Sequence, residues 1–443
     1  MKQLIDTEKK AIPVFLIGFR DQKTAKEESE SRIRELAGLA AALDLEILGQ
    51  EIIHIRENNV QYGMGTGKAA ELAEKAAVLG AECLVFDREI SPSQQRNWEE
   101  LSKKFCAGLS VIDRQELIIQ IFVGRARTRE AVLQSELAEL VYSLPRLQHK
   151  YIDLNRQRGG RYGTRGSGET RLETDRRQTE HRIHRLEEEL EEIRRQRETQ
   201  RKQRQRRQIP VCAIAGYTNA GKSSLLNALT NAGVHTEDKL FATLDSTARR
   251  LELPGGLSVL AVDTVGFIRR LPHTLVKAFH STLEDVCLSD LLIHVLDASD
   301  PDIDNQYETT LGVLRELGAN DIPRITVLNK ADKWDSQNPQ DSQNPKESGD
   351  SISPLDNLEM RFPKAIPVSA LTGKGLDELL SRMEHILSGA VRHYRLPQSR
   401  PDLAALLHRS AAVISEKYQG EHIEIQARVD EKISGKLKEY ETV

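Results

Sequence analysis

The sequence predicts an α/β protein with several domains. Apolar runs typical of strands alternate with helical patterns from residue 11 to about 125. A further strand-like run, Val211–Ala215, is followed by a glycine-containing turn and by the helical run Leu225–Leu229. With 443 residues, the chain is long enough for about two to four domains and for more than one hydrophobic core.

Residues 1–125 are predicted to form a small N-terminal α/β domain. Its strand-like runs are 12–17, 46–48, 83–86 and 109–112, and its helical segments lie near 27–43, 67–79 and 92–104. The run Gly63–Lys68 resembles a phosphate loop, but Tyr62 occupies the position of the first glycine and no Ser or Thr follows Lys68. We therefore interpret this run as a tight strand-to-helix turn or an RNA phosphate contact, with a second nucleotide site as the alternative.

Two long helical stretches follow within residues 126–207. The first, 128–144, is amphipathic, and the second, about 169–207, is densely charged. Between them, residues 159–168 interleave glycines with arginines. A helical hairpin with a flexible, basic tip suits contact with RNA phosphates and unpaired bases. The alternative is a solvated helical linker with a disordered tip, and the mixed charges of the second helix fit that alternative well.

The distribution of charge favours a nucleic-acid partner, although the net charge of −4 alone does not. From Arg156 to Arg207 there are 17 Lys and Arg residues against 10 Asp and Glu residues. No segment approaches the roughly 20 consecutive apolar residues of a membrane span, and the N-terminus lacks a secretory signal. The four cysteines have no metal or disulfide spacing, which fits core thiols in a reducing compartment. We expect a cytoplasmic protein without integral membrane association.

A phosphate-binding loop is predicted at Gly216–Ser223, which reads G-Y-T-N-A-G-K-S between a strand and a helix. Backbone N–H groups of such a loop and of the helix N-terminus converge on a phosphate, and glycine lets the backbone approach it closely. Lys222 would neutralise the outer phosphates, and the Ser223 hydroxyl would bind Mg²⁺. The alternative is a glycine turn that binds no ligand.

The base that this loop's nucleotide carries is predicted from Asn329–Asp332, which reads N-K-A-D after the apolar run 325–328. Open α/β sheets bind ligands at the carboxyl ends of their strands. A carboxylate there accepts two hydrogen bonds from guanine, whereas adenine offers an acceptor at N1 and no 2-amino group. Ser369–Leu371 would complete the base pocket. The predicted ligand is GTP.

Metal and switch elements are predicted between these two motifs. Asp263–Gly266 ends an apolar run, so Asp263 can hold the Mg²⁺ shell and Gly266 can offer its N–H to the γ-phosphate. Thr243, within Phe241–Asp245, is the candidate for the second hydroxyl on Mg²⁺, with an ordinary turn residue as the alternative. Lys222, Thr243 and Gly266 are therefore the catalytic candidates, and Ser223 and Thr243 the metal ligands.

The residue after Gly266 is Phe267, where well-studied GTPases carry a glutamine that positions water. An apolar side chain cannot orient a nucleophile. We therefore expect slow hydrolysis by the isolated protein and acceleration by a partner. A core-packing role for Phe267 is the alternative, but it does not supply the missing group.

The motifs Gly166–Arg177, Arg125–Ala131 and Ser91–Arg96, taken with the GTPase motifs, resemble the HflX family of ribosome-associated GTPases. This resemblance implies an N-terminal α/β domain (1–125), a helical hairpin (126–207), a Ras-like P-loop GTPase domain (208–388) and a small C-terminal α+β domain (389–443). It also implies binding to the large ribosomal subunit and its ribosomal RNA, and GTP-dependent splitting or rescue of stalled or idle ribosomes. We expect the protein to be monomeric.

The resemblance also implies the nucleotide ligands, with GTP as substrate, GDP as product and Mg²⁺ as cofactor. They are Gly216, Tyr217, Thr218, Asn219, Ala220, Gly221, Lys222 and Ser223; Phe241, Ala242, Thr243, Leu244 and Asp245; Asp263, Thr264, Val265 and Gly266; Asn329, Lys330, Ala331 and Asp332; and Ser369, Ala370 and Leu371. In this chain, Ser246 replaces the proline that family members usually have after Asp245, and Arg171 replaces the usual glutamine of the tip motif.

Residues 333–357 contain a repeated D-S-Q-N-P and almost nothing apolar, which predicts a disordered insert. Beyond it, an amphipathic helix near 402–417, an alternating run 422–427 and a final basic helix predict the small C-terminal domain. Two other functions stay open on the sequence. One is an ATP-dependent RNA-remodelling enzyme that uses the N-terminal glycine turn, and the other is a non-catalytic nucleotide-sensing RNA-binding factor.

Overall fold

The computed structural model describes residues 11–22, 24–55, 59–106, 109–157, 165–206, 209–230, 239–244, 247–270, 285–335, 354–387, 390–429 and 431–442. The chain divides into two compact units. Unit 1 comprises Met1–Arg194, Lys239–Ala242 and Arg270–Phe279, and unit 2 comprises Arg195–Asp238, Thr243–Arg269 and His280–Val443.

Unit 1 contains a four-stranded parallel sheet with the strand order β2-β1-β3-β4. Its strands are β1 (Pro13–Arg20), β2 (Glu46–His54), β3 (Cys83–Phe86) and β4 (Ser110–Asp113). Its helices are α1 (Lys26–Ala42), α2 (Thr66–Val78), α3 (Pro92–Ser102) and α4 (Arg114–Arg125). The predicted alternation of strands and helices is confirmed, and β2 is longer than the predicted run. The interior residues of β1 are all buried, as expected for a parallel strand covered on both faces.

Two long helices follow: α5 (Arg129–Gln157) lies in unit 1, and α6 (Arg165–Arg206) belongs to unit 1 as far as Arg194 and to unit 2 from Arg195. Both exceed the predicted stretches, and α6 includes residues 165–168, which the sequence placed in the tip. The rest of that tip, 159–164, lies outside the described residues. The two helices are tied together where the guanidinium of Arg182 donates to both carboxylate oxygens of Glu136, at 2.7 and 2.8 Å.

Helix α5 is anchored to the sheet domain of unit 1 through Asp113, the N-cap of α4. This fully buried carboxylate accepts hydrogen bonds from the Tyr142 hydroxyl at 3.0 Å and from the Arg146 guanidinium at 3.4 Å. Arg146 also donates to the backbone oxygen of Ile90 at 2.9 Å and stacks over the Tyr142 ring. Because a buried carboxylate needs partners, this network fixes the middle of α5 against α4.

Unit 2 contains a six-stranded sheet with the order β10-β9-β8-β5-β7-β6, parallel except for β6. Its strands are β5 (Val211–Gly216), β6 (Thr247–Glu252), β7 (Ser258–Asp263), β8 (Leu291–Asp297), β9 (Arg324–Asn329) and β10 (Ile366–Pro367). Its helices are α7 (Lys222–Thr230), α8 (Ile303–Glu316), α9 (Asp332–Asp335), α10 (Pro354–Arg361) and α11 (Leu376–Leu387).

The polar residues of the predicted site lie at one edge of this sheet. The parallel neighbours β7, β5, β8 and β9 end at Asp263, Gly216, Asp297 and Asn329. Below this edge the strands are almost wholly apolar and form a core with α7 and α11. Ligands of open α/β sheets bind at the carboxyl ends of the strands, so the fold brings the motifs together where a ligand is expected.

The C-terminal segment forms an antiparallel sheet with the order β12-β13-β11-β14. Its elements are β11 (Ala390–Pro397), α12 (Pro401–Ser410), β12 (Ala412–Gln419), β13 (His422–Val429), α13 (Glu431–Leu437) and β14 (Glu441–Thr442). The predicted helix near 402–417 is wrong in its second half, because Ala412–Gln419 pairs with β13 as a strand. Residues 412–419 contain the β-branched pair Val413 and Ile414, which suit a pleated surface.

Within the described ranges the strands form three sheets, and we propose that these sheets and the α5–α6 pair correspond to the four predicted domains. Most of the predicted insert, residues 336–353, lies outside the described residues. None of the helices described here combines the length and apolar character needed to cross a membrane.

Candidate functional site

The phosphate loop runs from the end of β5 to the start of α7. A Cβ added at Gly216 would lie 2.3 Å from the backbone oxygen of Val295, so β8 packs too closely for any side chain there. Gly221 has a φ of +87°, and a Cβ added to it would lie 2.2 Å from Nδ2 of Asn329. The sequence thus uses glycine where the backbone requires it. Helix α7 then begins at Lys222, and its N-terminus favours an anion.

Lys222 is buried beneath this loop. Its ammonium donates to the backbone oxygen of Tyr217 at 2.9 Å. Burial lowers the pKa of the Lys222 ammonium to about 8, and the nearby carboxylate of Asp263 opposes this shift. Since a buried cation is stabilised by a neighbouring anion, phosphate oxygens are the ligand chemistry that this position suits.

Three oxygen-bearing side chains meet beside Lys222. The hydroxyl of Ser223 donates to Oδ2 of Asp263 at 2.5 Å and lies 2.6 Å from Oγ1 of Thr243. Burial raises the pKa of Asp263, against the effect of Lys222. Oδ1 of Asp263 is buried without a hydrogen-bond partner among the described residues. Two hydroxyls and a carboxylate with a spare lone pair are hard oxygen donors, so the cluster fits Mg²⁺ bound through the hydroxyls, with Asp263 acting through a metal-bound water.

The second switch segment is bonded to the phosphate loop. The N–H of Thr218 donates to the backbone oxygen of Phe267 at 2.8 Å, and the N–H of Phe267 donates to that of Gly216 at 3.0 Å. The side chain of Phe267 is 1% exposed and belongs to an apolar core with Ala213 and Leu292, among other residues. Phe267 therefore packs in the core, and its side chain cannot reach a nucleotide.

The predicted base motif, Asn329–Asp332, is hydrogen-bonded to the phosphate loop and to the loop that contains Ser369 and Ala370. Nδ2 of Asn329 donates to the backbone oxygen of Ala220 at 2.9 Å, and Oδ1 of Asn329 accepts from the N–H of Ala370 at 3.2 Å. Oδ1 of Asp332 accepts from the Ser369 hydroxyl at 2.6 Å. The structure therefore assigns Asn329 to joining the loops, while Asp332 is held in place by Ser369.

The sequence analysis did not predict one residue of this site, Asp297. Asp297, at the carboxyl end of β8, forms an ion pair of 2.7 Å with the ammonium of Lys330. Lys330 also donates to the backbone oxygen of Asn219 at 3.0 Å, and both Lys330 and Asn219 have positive φ. Asp297 follows the apolar run Leu291–Leu296, so the rule that selected Asp263 could also have found it.

The predicted residues of the first switch segment, Phe241–Asp245, are divided between the two units. Thr243 and Leu244 belong to unit 2, whereas Phe241 and Ala242 belong to unit 1. The ring of Phe241 is buried edge-on against the ring of Phe122, with centroids 4.8 Å apart. Asp245 lies outside the described residues. Among the described residues of this segment, Thr243 contacts Ser223, the other proposed metal ligand.

The N-terminal glycine turn has its own partners. The ammonium of Lys68 pairs with Glu71 at 2.6 Å and with Glu51 at 2.9 Å, and hydrogen bonds to these carboxylates raise its pKa. A Cβ added at Gly63 would lie 2.0 Å from the Arg88 guanidinium, which also donates to the Gly63 oxygen at 2.9 Å. These contacts favour a strand-to-helix turn over a second nucleotide site.

Unit 1 also contains a cavity of about 590 Å³ between α3, α4 and α5. Its lining includes Gln95, Glu116, Tyr142 and Arg146, and none of the residues of the glycine turn. The side chains of Tyr142 and Arg146 are already bound to Asp113. We assign no ligand to this cavity.

Three family models match the chain in order. They are described as GTP-binding GTPase N-terminal over residues 30–123, GTP-binding GTPase Middle Region over 125–204, and 50S ribosome-binding GTPase over 211–330. The protein named GTPase HflX of Akkermansia muciniphila is 44% identical over 93% of each chain. GTPase HflX of Escherichia coli is 38% identical over 87% of this chain and 86% of its own. A solved GTP-binding protein of Sulfolobus solfataricus in complex with GDP is 24% identical, covers 85% of this chain and 99% of its own, and has a TM-score of 0.43.

Proposed function

The chain belongs to the HflX family of GTPases and hydrolyses GTP, and from this premise we propose that it acts on the large ribosomal subunit to split or rescue stalled and idle ribosomes. We further propose that it works in the cytoplasm as a monomer. The match to a 50S ribosome-binding GTPase model supports the ribosomal partner.

The convergence of five separate segments of unit 2 is the observation that carries the nucleotide site. Ser223, Thr243 and Asp263 come together through hydrogen bonds of 2.5 and 2.6 Å. Asn329 joins the phosphate loop to the loop of Ala370. Residues far apart in sequence are thus held in one place at the carboxyl edge of the sheet, which is where such folds bind nucleotides.

Each residue of the site would have its own role in binding or hydrolysing GTP. Lys222 and the N-terminus of α7 would hold the outer phosphates, and Gly266 would donate its N–H to the γ-phosphate. Asp332 would accept the two guanine donors. When bound to Ser223 and Thr243, Mg²⁺ would neutralise charge that develops on the β- and γ-phosphates. We expect slow hydrolysis by the protein alone and faster hydrolysis on the ribosome, because Phe267 is committed to the core.

The helical pair α5–α6 is the proposed contact with ribosomal RNA. Arginine is concentrated towards the C-terminal half of α6, where residues 194–206 hold seven Lys and Arg residues and one Glu. The Asp113 network fixes the middle of α5 to the N-terminus of α4 in the N-terminal domain. A cluster of basic residues on a long helix can bind RNA phosphates. Loss of the γ-phosphate would release Thr243 and Gly266, which gives GTP hydrolysis a way to end the interaction.

Ribosome dissociation measured by light scattering tests this proposal. We expect the protein with GTP to dissociate whole ribosomes, and Lys222→Ala to abolish this activity. Lys68→Ala, in the N-terminal glycine turn, is the matched control and should dissociate ribosomes normally. Activity that survives Lys222→Ala but not Lys68→Ala would favour an ATP-dependent RNA-remodelling enzyme instead. Absence of ribosome-stimulated phosphate release would favour a non-catalytic sensor.

A further inference from the structure

The phosphate loop contains a threonine, Thr218, whose hydroxyl has no role in the metal or phosphate contacts proposed above. Thr218 is 5% exposed, and its Oγ1 is buried without a hydrogen-bond partner among the described residues. Buried hydroxyls are nearly always paired, so one left unpaired in a binding site indicates a ligand that completes it. In the nucleotide site Oδ1 of Asp263 has the same status, and the proposed metal accounts for that atom.

The position of Thr218 indicates which part of the nucleotide it faces. A Cβ added at Gly266 would lie 2.7 Å from Cα of Thr218, 2.8 Å from its Cγ2 and 2.8 Å from Nζ of Lys222. Thr218 therefore touches the glycine whose N–H is proposed to hold the γ-phosphate, next to the lysine proposed to neutralise it. The hydroxyl lies at the γ-phosphate end of the loop.

The backbone of Thr218 is fixed in this place. Its N–H bonds to the backbone oxygen of Phe267, and Tyr217 pairs with Phe267 as a parallel β-bridge. The same bridge turns the Phe267 side chain into the core. The side chain that follows Gly266 thus supplies no polar group, while Thr218 of the phosphate loop, which carries the unpaired hydroxyl, packs against Gly266.

We propose that the Thr218 hydroxyl orients the water that attacks GTP, so that a residue of the phosphate loop takes the role that a glutamine after Gly266 would otherwise fill. This proposal rests on GTP binding at the site described above. Oγ1 accepts a hydrogen bond from the water and donates its own proton to a γ-phosphate oxygen. One lone pair of the water is then directed at phosphorus.

The reaction that Thr218 would assist balances without any further reactant. The water oxygen forms a bond to the γ-phosphorus while the bond from that phosphorus to the β–γ bridging oxygen breaks. The bonding electron pair leaves with GDP, and the proton lost by the water ends on the released phosphate. Thr218 keeps its own proton overall, so it acts as a positioning hydroxyl in contact with the substrate.

Three substitutions separate this role from simple packing. Thr218→Val keeps the branched shape and the contact with Gly266 but removes the hydroxyl. Thr218→Ser keeps the hydroxyl and removes the methyl group. Thr218→Ala removes both the hydroxyl and the methyl group. It serves as a second hydroxyl-free variant if circular dichroism shows that Thr218→Val does not fold. The measurements are single-turnover GTP hydrolysis with and without ribosomes, affinity for a non-hydrolysable GTP analogue, and binding of GDP with aluminium fluoride, an analogue of the transition state.

We expect the valine and alanine variants to lose about 10- to 100-fold in single-turnover rate, the range for a misplaced reactant, and to bind GDP–aluminium fluoride poorly. Their affinity for the GTP analogue should stay within about 2-fold of the unmodified protein, and serine should restore most of the rate. Hydrolysis at the original rate by the valine variant overturns the proposal, as does a serine variant that is as slow as valine. If the unmodified protein binds no GTP analogue, the proposed nucleotide site itself is wrong. That result differs from failure of the Thr218 proposal, in which the unmodified protein still binds the analogue.

Discussion

The side-chain amide of Asn329 donates to the backbone oxygen of Ala220 across 2.9 Å, which joins the base motif directly to the phosphate loop. The same side chain accepts from the N–H of Ala370, so one buried residue sets the spacing of three loops. Asn329 is thus a scaffold residue of the site. The geometry of the proposed guanine pocket is therefore coupled to that of the phosphate loop.

Replacement of Asn329 by Ala should weaken both the site and the fold. One buried and one partly buried hydrogen bond are lost, and the peptide groups left unpaired should cost about 1–3 kcal/mol of unfolding free energy. GTP affinity should fall as well, because Ala220 and Ala370 lose their common partner. Calorimetry with a GTP analogue and urea unfolding measure the two effects. Asn305→Ala, an exposed asparagine on α8, is the control and should change neither. An Asn329→Ala protein with unchanged affinity would contradict the scaffold role.

Replacement of Asp332 by Asn should change the base preference. The carboxylate is proposed to accept hydrogen bonds from the N1–H and 2-amino groups of guanine, whereas an amide can donate to the oxygen that xanthine carries at position 2. We expect weaker GTP binding, by 10-fold or more as an order-of-magnitude estimate, and a gain in affinity for xanthosine triphosphate. Competition against a fluorescent GTP analogue measures both. Equal loss of affinity for every nucleotide would instead indicate that Asp332 only supports Ser369.

Proton uptake should accompany GTP binding above neutral pH. The pKa of Lys222 in the protein without nucleotide is lowered to about 8, and phosphate oxygens would raise it on binding. Below pH 8 the Lys222 ammonium is already protonated, whereas above pH 8 GTP binding must take up a proton. The affinity for GTP therefore falls as pH rises above 8. Calorimetry at pH 8.5 in buffers of different ionisation enthalpy should show uptake approaching one proton, against nearly none at pH 7. Lys222→Met should abolish the difference. Uptake that is equal at both pH values would argue against a phosphate contact for Lys222.

His294 should make unit 2 sensitive to acid. It is fully buried on β8, stacked on Tyr307, and burial lowers its pKa to about 3. Since the unfolded chain binds a proton near pH 6.5 and the folded protein does not, stability is complete above pH 6.5 and is lost as pH falls towards 3. The contribution is about 1.4 kcal/mol per pH unit in that window.

The test is urea unfolding of His294→Phe at several pH values. Trp334 fluorescence reports on unit 2, in a Trp98→Phe background that leaves it as the single tryptophan. The phenylalanine variant should show a shallower decline of stability between pH 6.5 and 4. His181→Asn, an exposed histidine on α6, should keep the original slope. An unchanged slope for His294→Phe would show that other groups dominate the acid response.

The Tyr142 hydroxyl should stabilise the attachment of α5. Tyr142→Phe removes the hydrogen bonds to Asp113 and Glu116 but leaves the ring under Arg146. We expect a loss of about 1–3 kcal/mol in the stability of this region, because Asp113 is buried and loses a partner. Hydrogen exchange at α4 and the middle of α5 should increase. Tyr418→Phe, at an exposed position on β12, should leave exchange unchanged. Unaltered protection in Tyr142→Phe would contradict the anchoring role.

The motifs were predictable because each follows an apolar strand. A buried parallel strand reads as a continuous apolar run, and its last residue lies at the ligand edge, which is why the sequence predicted site residues just after β5, at the end of β7 and just after β9. Hydrogen bonds across the site were not predictable, because Asn329 bonds to Ala220 only once three loops have folded together. The residues 411–417 were assigned to a helix for a related reason. Their local pattern is ambiguous, and pairing with β13 decides the outcome.

Co-sedimentation with purified large ribosomal subunits tests most directly whether the bound nucleotide controls ribosome affinity. The protein is mixed with subunits in GDP, in GTP and in a non-hydrolysable GTP analogue, each at several salt concentrations. We expect tighter binding with the analogue than with GDP, and binding that weakens steeply as salt rises, because arginines of the helical pair displace counterions from RNA. Equal pelleting with GDP and with the analogue at every salt concentration would contradict the account.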